Sequence, residues 1–171
     1  MKAAVNKGLS ALVGAASTLA FCTSVHAALL NPTCTTTATA LNFGNYNPFS
    51  SGAGTSSSTI TVTCSAVVGL FGGGTVNYTI ALNSGSSGTY STRTMRSGTN
   101  SLNYNLYTAS NYSTIWGDGS GGSSTVSGSG TITLLLSQFT NTHTVYGQIP
   151  ASQTSVVPGS YTDTINVTLT Y

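Results

Sequence analysis

The sequence predicts one all-β sandwich domain. Three observations carry this. Every apolar run alternates with polar residues at a period of two rather than 3.6. Good helix formers are scarce: Glu is absent, Lys occurs only at positions 2 and 7, and Ala is sparse beyond the N-terminal region. Between the alternating runs lie Gly/Ser/Asn clusters such as SSGAGTSS, GLFGGG, NSGSSG and GDGSGGSSTVSGSG, at the spacing of turns between short strands.

In chain order the expected strands cover residues 35–43, 58–65, 75–83, 101–108, 131–137, 142–149 and 160–171. The last is the clearest. Thr164, Asn166, Thr168 and Thr170 are polar, while Ile165, Val167, Leu169 and Tyr171 between them are apolar. Such alternation reads as a strand with one buried face. The longest Gly/Ser cluster, 117–130, is expected to be a mobile surface loop.

Residues 1–27 stand outside this pattern. MKAAVNKGLSALVGAASTLAFCTSVHA has a basic start, an apolar stretch to Cys22 and a small-residue motif ending at Ala27, which together form a secretory signal peptide. Phe21 is too bulky for Cys22 to sit in a lipoprotein box. No other apolar run is long enough for a transmembrane segment. The mature chain, 28–171, is expected to be exported as a single domain.

Beyond residue 27 the charged residues are Arg93, Arg96, Asp118 and Asp163, with His143 as the one histidine. Nucleic-acid binding, which needs clustered Lys and Arg, is excluded on this count. So is intrinsic disorder, which needs high net charge. The surface must be built from Ser, Thr, Asn and Gly, and it sets no electrostatic barrier to close packing with other proteins. Cys34 and Cys64 are the two cysteines of the mature chain, and in an exported protein they allow one disulfide. No further Cys or nearby His completes a zinc site.

Candidate reaction centres are thin. His143 would need a serine and Asp118 or Asp163 beside it to act as a base, and there is no G-x-S-x-G elbow. Asp118 follows a glycine in a turn, and Asp163 is expected on the polar side of the last strand. The GDGSGG stretch has one carboxylate, too few for calcium, and no Lys or following helix for phosphate. No catalytic residue, metal or cofactor is assigned. NYNLYTASNYSTIW holds Tyr104, Tyr107, Tyr112 and Trp116, which suit core packing or a sugar-stacking face. The sequons at Asn77, Asn111 and Asn166 are expected to be incidental if the source is bacterial, as the signal peptide suggests.

Four stretches together resemble the spore coat protein U domain, a family that includes subunits of archaic, Csu-type chaperone–usher pili. They are CTTTATALNFGNYNP, ITVTC, LNYNLYTASNYSTIWGDG and VYGQIPASQTSVVPGSYTDTINVTLTY, in this order along nearly the whole mature chain. The first joins a cysteine to an F-G-x-Y-x-P turn; the last joins Y-G-x-I-P, a P-G-x-Y-x-D turn and a strand ending in an aromatic. The resemblance implies an immunoglobulin-like β-sandwich that is incomplete, lacking its final strand. A donor strand would complete it, first from a periplasmic chaperone and then, at an outer-membrane usher, from another pilus or coat subunit. The acceptor groove would then lie beside Ile165, Val167, Leu169 and Tyr171. One feature departs from the family's polymerising subunits. Only ALLNPT precedes Cys34, too short for a full donor strand and interrupted by Pro32, so the chain suits a terminal or tip position or a stand-alone coat. The alternative is a surface adhesin using Tyr112, Trp116 and the 117–130 loop; an enzyme is a distant third.

Overall fold

The computed structural model describes residues 29–68, 73–133 and 137–171. The expected signal peptide and Cys22 lie outside the described residues. Eight strands form two antiparallel sheets packed as a sandwich: β1 (Leu29–Ala38), β2 (Gly54–Val68), β3 (Gly73–Leu82), β4 (Arg93–Ser97), β5 (Asn100–Tyr107), β6 (Val126–Thr133), β7 (Gln138–Ile149) and β8 (Val167–Thr170). One sheet has the order β1-β2-β7-β5-β4, the other β6-β3-β8. The core fills the space between them, with Ile60 and Val62 of β2, Tyr78, Ile80 and Leu82 of β3, Leu102 and Leu106 of β5, and Val145 of β7. Period-two alternation puts these residues on the inner faces.

The same alternation builds a repetitive outer face on the larger sheet. The β1–β2–β7 register sets Thr35 opposite Thr63 and Thr63 opposite Thr140. The next row is Thr37, Thr61 and Thr142. Thr39 follows β1 and still donates its amide to Thr59 O at 2.9 Å, while Thr59 pairs with Thr144, which completes a third row.

Four elements depart from the expectation, one of them β8, which forms a ladder only over Val167–Thr170 where 160–171 was expected. β6 covers 126–133, where 131–137 was expected and 126–130 was assigned to a loop. Its glycines mislead because they read as turn formers. A Cβ on Gly128 would collide with the Tyr78 ring and one on Gly130 with the Phe139 ring. The bare backbone lets two aromatic rings lie against this edge strand. β4 was not expected at all, because it holds both arginines in five residues. β1 also starts earlier than expected. Leu29 and Leu30 pair with Val68 and Val67, and the register then shifts before Thr33. Asn31, at φ 49°, and Pro32 occupy that bulge, where a missing N–H costs no ladder bond.

Cys34 and Cys64 are direct cross-strand partners on β1 and β2, joined by a disulfide. The bond closes a loop with a sequence separation of 30 and pins the edge strand to its neighbour. Replacing both cysteines by Ala should lower stability by about 3–4 kcal/mol, and urea unfolding of the two forms would measure it.

Candidate functional site: a groove beside the last strand

β8 is an edge strand. Its ladder to β3 pairs Leu82 with Val167, Ala81 with Thr168, Ile80 with Leu169 and Thr79 with Thr170. Among the described residues no strand pairs with its other edge. Upstream the chain stays extended from Tyr161 to Asn166, alternately half-buried and exposed, without forming a ladder. It is tied down on one side only. Thr162 exchanges backbone hydrogen bonds with Arg96 at 2.8 and 3.0 Å, and Asn83 N donates to Asn166 O at 3.1 Å.

Beside this segment runs a groove of about 450 Å³. Its floor crosses the inner face of the larger sheet, with Ala38 at the end of β1, Ile60 of β2, Val145 of β7, Leu106 of β5 and Met95 of β4. Leu82, Ile165 and Val167 form one wall, Leu41 and Phe43 the other. Leu41 and Phe43 reach in because residue 147 is glycine; a Cβ there would meet both side chains. The groove continues past Leu41, Phe43, Met95 and Tyr161 into a second cavity of about 530 Å³ under Tyr46, Pro48 and Val156.

One carboxylate sits in this apolar wall. Asp163 was expected on the polar side of the strand, but it is half-buried on the same face as Ile165 and lines the groove. Its Oδ2 accepts from the Tyr104 hydroxyl at 2.7 Å, and its Oδ1 accepts from the amides of Ser86 and Thr164, both at 2.9 Å. Burial first, then the Asp163 hydrogen bond, pushes the Tyr104 hydroxyl well above the usual phenol range. Asp163 therefore anchors the short turn Gly85–Ser87 to the groove wall.

Of the residues expected at the groove, Ile165 and Val167 line it. Leu169 packs against the core instead. Tyr171 is 53% exposed and lines a shallow depression on the outer side of the smaller sheet with Thr170 and Gly128, which corrects its expected inward position. The ladder ends at Thr170, so nothing holds its ring to the inner face.

Of the two readings of Trp116, core packing and an adhesive surface, the structure supports core packing. Trp116 is 1% exposed, and its indole N–H donates to Ile80 O at 3.1 Å. Its amide donates to Leu106 O, and Leu82 N donates to Gly117 O, so this strap ties the two sheets together. Its carbonyl, with that of Asn83, accepts from the fully buried Arg93 guanidinium, which also bonds Asn105 Oδ1 at 2.7 Å and lies over the Tyr90 ring. Burial lowers the Arg93 pKa from its ordinary value. Sequence reasoning missed Arg93; its one signal was its place two residues before Met95, on the same side of a short alternating run. Tyr112 is half-buried at a turn with φ 54°, edge-on to Tyr107.

His143 and the aspartates lie in separate settings. Asp118 sits in an exposed turn where the Ser120 hydroxyl and amide hold its carboxyl below the usual range. His143 points inward from β7 and its Nε2 meets the Tyr78 hydroxyl at 2.7 Å, linking the two sheets. The Asn141 amide donates to the same hydroxyl at 2.9 Å. Among the described residues no three His, Cys, Asp or Glu side chains cluster so as to hold a metal ion. None of the described helices is long and apolar enough to cross a membrane.

Residues 18–168 match the family model of the Spore Coat Protein U domain, so the chain belongs to that family. Among solved structures it is similar to a chaperone–tip adhesion subunit pre-assembly complex (CsuC–CsuE) from archaic chaperone–usher Csu pili of Acinetobacter baumannii, at 22% identity and a TM-score of 0.48. The match covers 82% of this chain and 40% of that one. No curated protein matches the chain.

Two predictions follow from these packing arrangements. Trp116→Ala should destabilise the fold by about 3–5 kcal/mol in urea unfolding, as loss of a buried aromatic does. His143 is held below its ordinary pKa by burial. Between the folded value and the unfolded value of about 6.5 the unfolded chain binds more protons. Stability should therefore be full above that pH and fall as the pH drops below it. The fall should be smaller in His143→Gln, read from urea midpoints at neutral and mildly acidic pH.

Proposed function

We propose that this member of the Spore Coat Protein U domain family is an exported structural subunit of a chaperone–usher pilus or surface coat, and that its groove accepts an extended strand from another protein. The observation that carries the reading is the free edge of β8 and its upstream segment beside an apolar groove of about 450 Å³. An extended strand laid there would hydrogen-bond that edge and set alternate side chains on the inner face of the larger sheet. Four or five apolar side chains would contribute roughly 1.5–3 kcal/mol each before ordering costs. This is strand addition, a general mode of peptide recognition.

The partners follow from the mode. A periplasmic chaperone would occupy the groove in transit, and an outer-membrane usher would exchange it for a segment of a neighbouring subunit at the cell surface. The reading assigns no reaction and no cofactor to the chain. A terminal position in the assembly is supported by Leu29 and Leu30, which already pair with Val68 and Val67 in their own sheet and would have to leave it to be donated.

The test is to complete the sandwich within one chain. A flexible linker and a ten-residue strand of alternating apolar residues are added after Tyr171. Thermal unfolding should rise by about 10 °C or more, since each kcal/mol moves the midpoint several degrees. Ile165→Asp in the extended chain should remove most of that gain. An unchanged midpoint, or a gain indifferent to Ile165→Asp, would sink the reading.

A further inference from the structure

The outer face of the larger sheet raises a separate question, because of its three rows of threonines only Thr39, at the end of one row, reaches the groove. We propose that this face is a self-association surface, met face to face by the same rows of a second copy of the chain. The proposal rests on the coat or pilus reading, which holds many copies close, but not on strand acceptance, and it uses the opposite side of the sheet.

Register comes first. Threonines in matched rows on three adjacent antiparallel strands repeat at about 4.8 Å across the strands and about 7 Å along them. A regular patch of this kind can mate with its own copy around a twofold axis. The second support is the state of the hydroxyls. Thr63 Oγ1 lies 3.1 Å from Thr140 Oγ1, and Thr39 Oγ1 lies 3.2 Å from Thr59 Oγ1. Hydroxyls that bond one another within the face cost less to remove from water. Charge is the third. Arg93 and Arg96 are on β4, and Asp118 and Asp163 lie outside the strands, so β1, β2 and β7 carry no Asp, Glu, Lys or Arg. A second copy meets no repulsion there.

The area decides what kind of contact this is. Three strands by three rows cover about 300 Å² per copy, from the strand spacing and rise. Both copies together bury about 600 Å², well short of the roughly 1,200–2,000 Å² of a stable pair. A lone pair of chains therefore stays apart, and the contact acts only where many copies are held close, as in a coat or between neighbouring fibres, where weak contacts multiply.

The test displays the full chain at high density on beads and follows coagulation by light scattering. Wild-type beads should coagulate. Beads carrying Thr61→Glu with Thr142→Glu should need about tenfold or more higher density, because like charges would face each other across the contact. Asn77→Glu with Thr131→Glu, which adds the same charge to the outer face of the other sheet, should coagulate like wild type. Each form is displayed with and without the added C-terminal strand, and the extended form, whose groove is occupied, gives the deciding comparison. Thr142→Glu alone, at an exposed position, serves if the double variant folds poorly. Equal dispersal by both charge pairs would overturn the proposal, as would coagulation unaffected by Thr61→Glu with Thr142→Glu. A stable dimer of free wild-type chain at micromolar concentration would overturn it as well.

Discussion

The structure turns on one constraint: a strand with a neighbour on one side only, placed over an apolar floor. A sandwich is stable when both inner faces are covered and its backbone groups are bonded. Here the smaller sheet has three strands and the larger has five. The mismatch leaves Ile60, Val145, Leu106 and Met95 at the floor of a groove instead of under a fourth strand. The segment 161–166 shows the effect in its backbone. It keeps the extended form and alternating burial of a strand, yet only Thr162 and Asn166 find backbone partners, at Arg96 and Asn83.

Elsewhere the chain closes the sandwich with bonds. The strap through Trp116 and Gly117 reaches β5 with one amide bond and β3 with another. Arg93 holds that strap from within. A buried guanidinium without a carboxylate partner is costly, and here the cost is offset by bonds to two main-chain carbonyls and the Asn105 side chain. Asn105 passes the restraint on, since its amide donates to the Tyr90 and Ser91 carbonyls. The Tyr78–His143 bond ties the sheets at another point, between β3 and β7. These links tie the two sheets together at separate points beside the groove.

Much of the fold was legible because strands report themselves by period two. The core residues of β2, β3, β5 and β7 all fall on alternate positions of the expected runs. What was illegible has physical causes. Gly128 and Gly130 look like turn residues but serve as landing sites for aromatic rings of other strands, a long-range relation that no local window contains. Arg93 looks like a surface residue because its acceptors are main-chain carbonyls, at Asn83 and Trp116, which sequence does not display. Sequence left Trp116 between core packing and a surface face for the same reason: its indole partner is the carbonyl of Ile80. In the candidate site, the alternation of Ile165 and Val167 was visible, but the floor beneath them was not, since it gathers one side chain from each strand of the larger sheet. Asp163 shows the limit most clearly. Period two alone places it beside Ile165 on the inner face, yet its charge argued for the outside; Tyr104 and Ser86 are what let the charge stay.

The neutral composition and the open edge belong to one argument. Proteins usually guard an exposed edge with Lys, Pro or a bulge, because an unguarded edge pairs with whatever strand is nearby. β1 has its bulge at Asn31–Pro32, at the other end of the strand from the groove-lining Ala38. The segment 161–170 carries neither Lys nor Pro. Under the proposed strand acceptance a guard there would also repel the incoming strand, since a lysine would bring a charge into the groove and a proline would remove a ladder donor. Selectivity must then come from shape and from the single carboxylate in the wall. Asp163 is already saturated by three donors, so an incoming strand meets it as a fixed dipole and not as an unpaired charge. An edge of this design cannot distinguish friend from aggregate by repulsion. On the proposed reading it depends on being occupied.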